Sequence, residues 1–224
     1  MKVASDLLMN INMPRIEKIL HYRITWKHIM GMLFVLFVVV LILVGLEPWY
    51  FASCRKGLTP AVKLFLLVGM DPNLSTEPGF CCTIHPLAYA IESGNPATCE
   101  TLIAAGANIR DVAFHYGPIA YAAQVGNVPM VNYFISRENI GDSPAALAQT
   151  IRVILMRGAT YGKVESVDYA IENGADPNFP MPPFGNLARA AISEARQSGN
   201  AELMEKLQRW QEAGRDTGTV RPQP

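Results

Sequence analysis

The sequence predicts an all-α chain: a solenoid of four to five stacked helix pairs preceded by a single transmembrane helix. Three observations predict it. Residues Ile29–Leu46 (IMGMLFVLFVVVLILVGL) contain no charge and no proline. His85–Asn95 (HPLAYAIESGN) and Gly117–Asn127 (GPIAYAAQVGN) match each other at an offset of 32 residues. Gly57, Gly94, Gly126, Gly162 and Gly199 each close a helix-forming stretch, at spacings of 37, 32, 36 and 37. Self-similarity at such a period is the mark of stacked supersecondary units, none of which can bury its apolar face alone.

In chain order, residues 1–28 form a basic head. Arg15, Lys18, Arg23 and Lys27 alternate with Ile19, Leu20 and Ile24. This suits either an amphipathic helix on an anionic inner leaflet or simply the positive flank of a span. The apolar run follows. At ~1.5 Å of rise per residue it is ~27 Å long, close to the hydrocarbon thickness of a bilayer. Trp26 precedes it and Trp49, Tyr50 and Phe51 follow it, as at headgroup level. Only Arg55 and Lys56 lie close downstream, so the basic bias places the N-terminus in the cytoplasm and exports the domain that follows. The expected organisation is a cytoplasmic head (1–28), a membrane span (29–46), a repeat domain (47–214) and a disordered tail (215–224).

Composition excludes several functions. Nineteen basic residues balance nineteen acidic ones, and no basic stripe offers a nucleic-acid footprint. Cys54, Cys81, Cys82 and Cys99 would meet an oxidising compartment after export. Four cysteines allow three full pairings, and both disulfides and free thiols remain open. No CxxC occurs and the histidines do not cluster near the cysteines, which argues against a metal site. No GxSxG, HExxH or glycine-rich phosphate loop appears, so neither an enzyme nor a cofactor is expected.

The repeat has a second signature. Leu66–Asn73 (LLVGMDPN), Leu102–Ile109 (LIAAGANI) and Ala170–Asn178 (AIENGADPN) close helices with related turns. With the HPLAYA and GPIAYA starts, these residues resemble the ankyrin repeat, whose pattern is TPLHxAAxxG, then LLxxGA, then a DxN turn. The resemblance covers Glu47 to Gly214 and is strongest in the second and third units. It implies an ankyrin-repeat solenoid. A tetratricopeptide array is the alternative, and the GADPN turns and the proline at the first-helix start, as at Pro86 and Pro118, argue against it. Unit four lacks the proline start, and Val153–Gly162 (VILMRGATYG) fills its register by size and polarity. The excess over an ankyrin unit of ~33 residues falls in Thr76–Thr83 and Phe179–Gly185, both rich in proline and glycine.

The same resemblance implies a binding face. The position after TPLH turns toward a concavity, and by register it is Ala52, Tyr89, Tyr121, Arg157 and Glu194. Glu92, Gln124 and Gln197 lie next outward. Tyr89 and Tyr121 either face a partner or pack between helices. The finger loops add Phe80, Phe114, His115, Tyr116, Phe179, Met181 and Phe184. His85 stands at the threonine place and is expected to cap its helix; Asp176 is expected to serve its turn. The implied partner is a protein. More specifically, the anchor-plus-stack layout resembles membrane-anchored ankyrin immunity proteins paired with type VI secretion toxins, several of them phospholipases acting in the periplasm. A bacterial inner-membrane protein with a periplasmic domain is expected. An envelope scaffold, or a cytosolic regulator if the topology is reversed, stays open, as does the oligomeric state.

Overall fold

The computed structural model describes residues 26–75, 84–110, 112 and 117–217. Residues 1–25 of the basic head, the expected loop 76–83 with Phe80, Cys81 and Cys82, and Phe114, His115, Tyr116 and residues 218–224 lie outside them. The chain divides into two compact units, Met1–Leu46 and Glu47–Pro224.

The first unit contains helix α1, Trp26–Val44. From residue 29 to residue 37 its side chains are apolar and exposed around the helix. Met32 is 71% exposed, Phe34 67% and Val35 60%. Among the described residues no helix is long and apolar enough to cross a membrane, so the expected span over Ile29–Leu46 is not shown.

Among its described residues the second unit is a run of five helix pairs. They are α2 (Glu47–Arg55) with α3 (Thr59–Leu67), α4 (Pro86–Ser93) with α5 (Pro96–Ala104), and α6 (Pro118–Val125) with α7 (Val128–Arg137). α8 (Pro144–Thr160) with α9 (Val164–Glu172) and α10 (Leu187–Ser198) with α11 (Ala201–Thr217) complete it. Proline stands in the first turn of α3 to α8. There its missing N–H costs nothing and its fixed φ favours the helix. First helices lie against first helices along the stack, burying Leu87, Ala88, Ala122, Ala123, Ile154, Leu155 and Ala191. The small alanines let neighbouring helices approach closely.

Asparagines tie one pair to the next. Asn95, Asn127 and Asn200 each accept a backbone N–H of the helix they start, at Ala97, Met130 and Leu203. The amide nitrogen of each then donates backwards, to the carbonyls of Gly57 (2.8 Å), Ile91 (2.9 Å) and Gly162 (3.1 Å). Gly57 has φ +64°, and a Cβ there would sit 3.0 Å from Asn95 Cβ. The turn therefore needs glycine for its conformation and for the close approach. In the DPN turns, Asp71 and Asp176 accept from Asn73 N and Asn178 N. Asn73 and Asn178 then donate to the carbonyls of Gly106 and Gly214 in the following unit. The expected turn role of Asp176 is what the structure shows.

Polar pairs link successive second helices. Thr59 and Thr98 share a 2.7 Å hydroxyl contact. Arg137 Nε donates to Glu100 Oε1 at 2.8 Å, and Tyr133 donates to the same carboxylate. Tyr169 donates to Asn132 at 2.7 Å, and Lys206 donates to Asp168 at 2.5 Å. Arg137 holds the Glu100 carboxyl below the usual carboxylate range.

Four expectations need correction. Unit four does not begin near Val153: α8 starts at Pro144, capped by Ser143 Oγ accepting from Ala146 N. The Phe179–Gly185 excess is not a plain loop, because Pro180–Met181 pairs antiparallel with Gly185–Asn186 as a small hairpin. His85 does not cap α4 through its side chain; its Nδ1–H donates to the Asn73 carbonyl at 3.1 Å, tying the first finger to the second unit. The tail is not disordered from residue 215, since α11 continues to Thr217.

Candidate protein-binding surface

α8 is where the extra length matters. Its 17 residues carry Gln149, Arg152, Val153, Met156, Arg157 and Thr160 along one side. The hairpin before α10 brings Phe179 and Met181 opposite them, and α10 adds Glu194. Together they line a groove of about 460 Å³. The Arg152 guanidinium lies over the Phe179 ring, 4.0 Å from its centroid, an arrangement that a flat cation favours. Arg152 also donates to Gln149. Thr160 Oγ1 donates to Glu194 Oε2 at 3.2 Å. The groove thus combines apolar floor, guanidinium groups and one anchored carboxylate, which suits an extended protein segment rather than a reacting small molecule.

A second depression, of about 740 Å³, lies at the C-terminal ends of α4, α6 and α8. Arg55, Glu92, Tyr121, Gln124, Tyr161 and Lys163 contribute to it. Tyr121 donates its hydroxyl to Glu92 Oε1 at 2.7 Å, and Arg55 Nε lies 3.5 Å from Glu92 Oε2. Burial first, and then the Glu92 carboxylate, push the Tyr121 hydroxyl above its ordinary value, so it stays a donor at any ordinary pH. Gln124 is 9% exposed and its Oε1 has no hydrogen-bond partner. An unsatisfied buried amide is costly, and a donor from a bound partner would relieve it.

The structure therefore sorts the sequence candidates. Arg157 and Glu194 share the groove with Phe179 and Met181. Tyr121 is 3% exposed, and its hydroxyl is held by Glu92 in the second depression. Tyr89 is half-buried, with its ring 5.4 Å from Phe51 in an edge contact. Ala52 is exposed on α2. Of the finger aromatics, Phe184 is 43% exposed at the hairpin tip. Cys54 and Cys99 are free, fully buried thiols rather than halves of a disulfide, because both point into the apolar core. Burial pushes each thiol up to about 12. Among the described residues, no group of three His, Cys, Asp or Glu could hold a metal ion.

A family model described as ankyrin repeats (3 copies) matches residues 49–145 and, overlapping, 87–181. The chain belongs to the ankyrin-repeat family. Ankyrin-repeat domains are typically non-catalytic protein-interaction modules. No curated protein matches the chain. Sequence reasoning missed Gln149 and Arg152 because it took the register of unit four from Val153; Met156 and Thr160 lie inside that register but are not at the position that the repeat pattern turns outward. The signal was present: Ser143-Pro144 is a helix-start pair, with serine at the cap and proline in the first turn.

Proposed function

We propose that this ankyrin-repeat protein is held at a bacterial inner membrane by α1 and binds a protein partner with the stack. Most concretely, it is an immunity protein that neutralises a secreted toxin, such as a phospholipase, in the periplasm. The observation that carries the tether is α1. Leucine, valine, phenylalanine and methionine are exposed on every side of it, which suits lipid and does not suit water. The sequence continues apolar to Leu46, giving enough length to span, and the basic residues before it favour a cytoplasmic N-terminus. Glu47 then begins the stack on the periplasmic side.

An inhibitor stationed there needs a binding face and a raised local concentration, and no chemistry of its own. The Arg152–Phe179 groove supplies the face. The test is affinity capture of the full chain from its native envelope, with co-expression of any captured partner. The reading expects one dominant, near-stoichiometric protein that is toxic in the periplasm alone and harmless with this chain present. Several envelope proteins at low yield would favour a scaffold. A reporter fused after Thr217 that is active only in the cytosol would overturn the periplasmic placement.

A further inference from the structure

A solenoid needs polar outer faces on its two end units, because no neighbour covers them. The C-terminal end obeys this. The exposed positions of α11 include Glu202, Glu205, Gln208, Arg209, Glu212 and Arg215. The N-terminal end does the opposite. Pro60, Lys63, Leu64, Leu67 and Val68 recur at helical spacing along α3, and all five are exposed. Leu64 is 61% exposed, Leu67 84% and Val68 59%. The other side of α3 buries Val62 and rests Phe65 and Leu66 on the core, so the helix is already satisfied inwardly. Its outward stripe is surplus to the fold.

From these observations we propose that the outward face of α3 lies on the bilayer surface, docking the first ankyrin unit against lipid. The reading rests on α1 being a membrane anchor. Three features select lipid over other occupants. The stripe is flanked by Lys56 and Lys63, and Arg55 to Val68 contains no carboxylate, which complements anionic headgroups. Only Gly45 and Leu46 separate α1 from α2 in the chain, so a bilayer that holds α1 is within reach of the first ankyrin unit. Trp49, 44% exposed, stands within that first unit and is the residue type favoured at headgroup level. A face of three large aliphatic side chains and two lysines is sized for shallow insertion, about 5–10 Å into the headgroup–acyl boundary.

The test places single tryptophan reporters in the full chain, in vesicles of phosphatidylethanolamine and phosphatidylglycerol with brominated acyl chains. Trp26, Trp49 and Trp210 are replaced by Phe. Reporters are then introduced one at a time as Leu67→Trp on α3, Phe37→Trp on α1 and Gln208→Trp on α11. The proposal expects the emission at position 67 to fall roughly twofold relative to unbrominated vesicles, as for a shallowly buried ring, with position 208 unchanged. Quenching at 37 without quenching at 67 would overturn the proposal and leave the anchor standing. Quenching at 67 without quenching at 37 would support the docking face and sink the anchor. No quenching at either site would overturn both. A blue-shifted but unquenched reporter at 67 would assign the face to a second copy of the chain and also overturn the proposal. Leu64→Glu with Lys63→Glu, in the Leu67→Trp background, is expected to abolish the quenching at 67 without changing the response at 37.

Discussion

The Tyr121 hydroxyl donates to Glu92 Oε1 at 2.7 Å, bridging the first helices of the second and third ankyrin units. A side chain that the repeat pattern turns outward is thereby spent on holding two units in register. Tyr121→Phe removes a hydrogen bond to a carboxylate, worth about 1.5–3 kcal/mol. Chemical denaturation of the variant should show a loss of that size, with partner capture by the folded protein retained. Unchanged stability would mean that the bond contributes nothing net.

Unit four lacks the asparagine that units two, three and five use. Lys163 occupies the place with φ −92° and ψ 97°, the backbone of a helix cap without a capping side chain. Asn95, by contrast, caps Ala97 and reaches Gly57. Asn95→Ala should therefore cost about 1–3 kcal/mol, a cap and an inter-unit bond together. Lys163→Asn should gain about 0.5–1 kcal/mol. Thermal melts of the two variants should move in opposite directions.

Gly158 lies where α8 meets α9. A Cβ there would sit 2.9 Å from Ser166 Cβ and 3.0 Å from Val167 Cγ2. Gly158→Ala should destabilise the stack by about 1–3 kcal/mol through overpacking. A variant as stable as the parent would show that the two helices can separate without cost.

Cys54 and Cys99 are fully buried, and each thiol is pushed up to about 12 from an ordinary 9.0. Because the folded pKa exceeds the unfolded one, the folded chain holds more protons between these values. The stabilisation is fully present below pH 9 and is lost as pH rises toward 12, by roughly 1.4 kcal/mol per pH unit for each thiol. Unfolding free energy measured from pH 8 to 11 should fall above pH 9, and Cys54→Ala should shallow the fall. In native protein at pH 8 neither thiol should react with iodoacetamide, and both should react once urea unfolds the stack.

Much of this fold was legible in local chemistry. Gly94 and Gly126 close helices, Asn95 and Asn127 open them, and Asp176 shapes its turn; each acts within a few residues of itself. The groove was only half legible. Arg157 and Glu194 fell to register, but Arg152 and Gln149 lie on two extra turns of α8 outside any repeat pattern. The hairpin at Pro180–Asn186 was hidden because prolines in Met181–Pro183 read as loop, and its pairing depends on residues that flank them. Whether Tyr121 faced outward or inward was undecidable locally, since its partner Glu92 sits one unit away.

The central claim is that the first-helix side of the ankyrin stack, at the α8–hairpin groove, holds a protein partner at the membrane. The most direct test is photo-crosslinking in the native envelope from benzoyl-phenylalanine placed at Arg157 and at Met181, which both line the groove, with Glu205 on α11 as the control. The account predicts one dominant protein adduct from both groove positions and none from 205. An adduct from 205 alone, or none from either groove position, would contradict it.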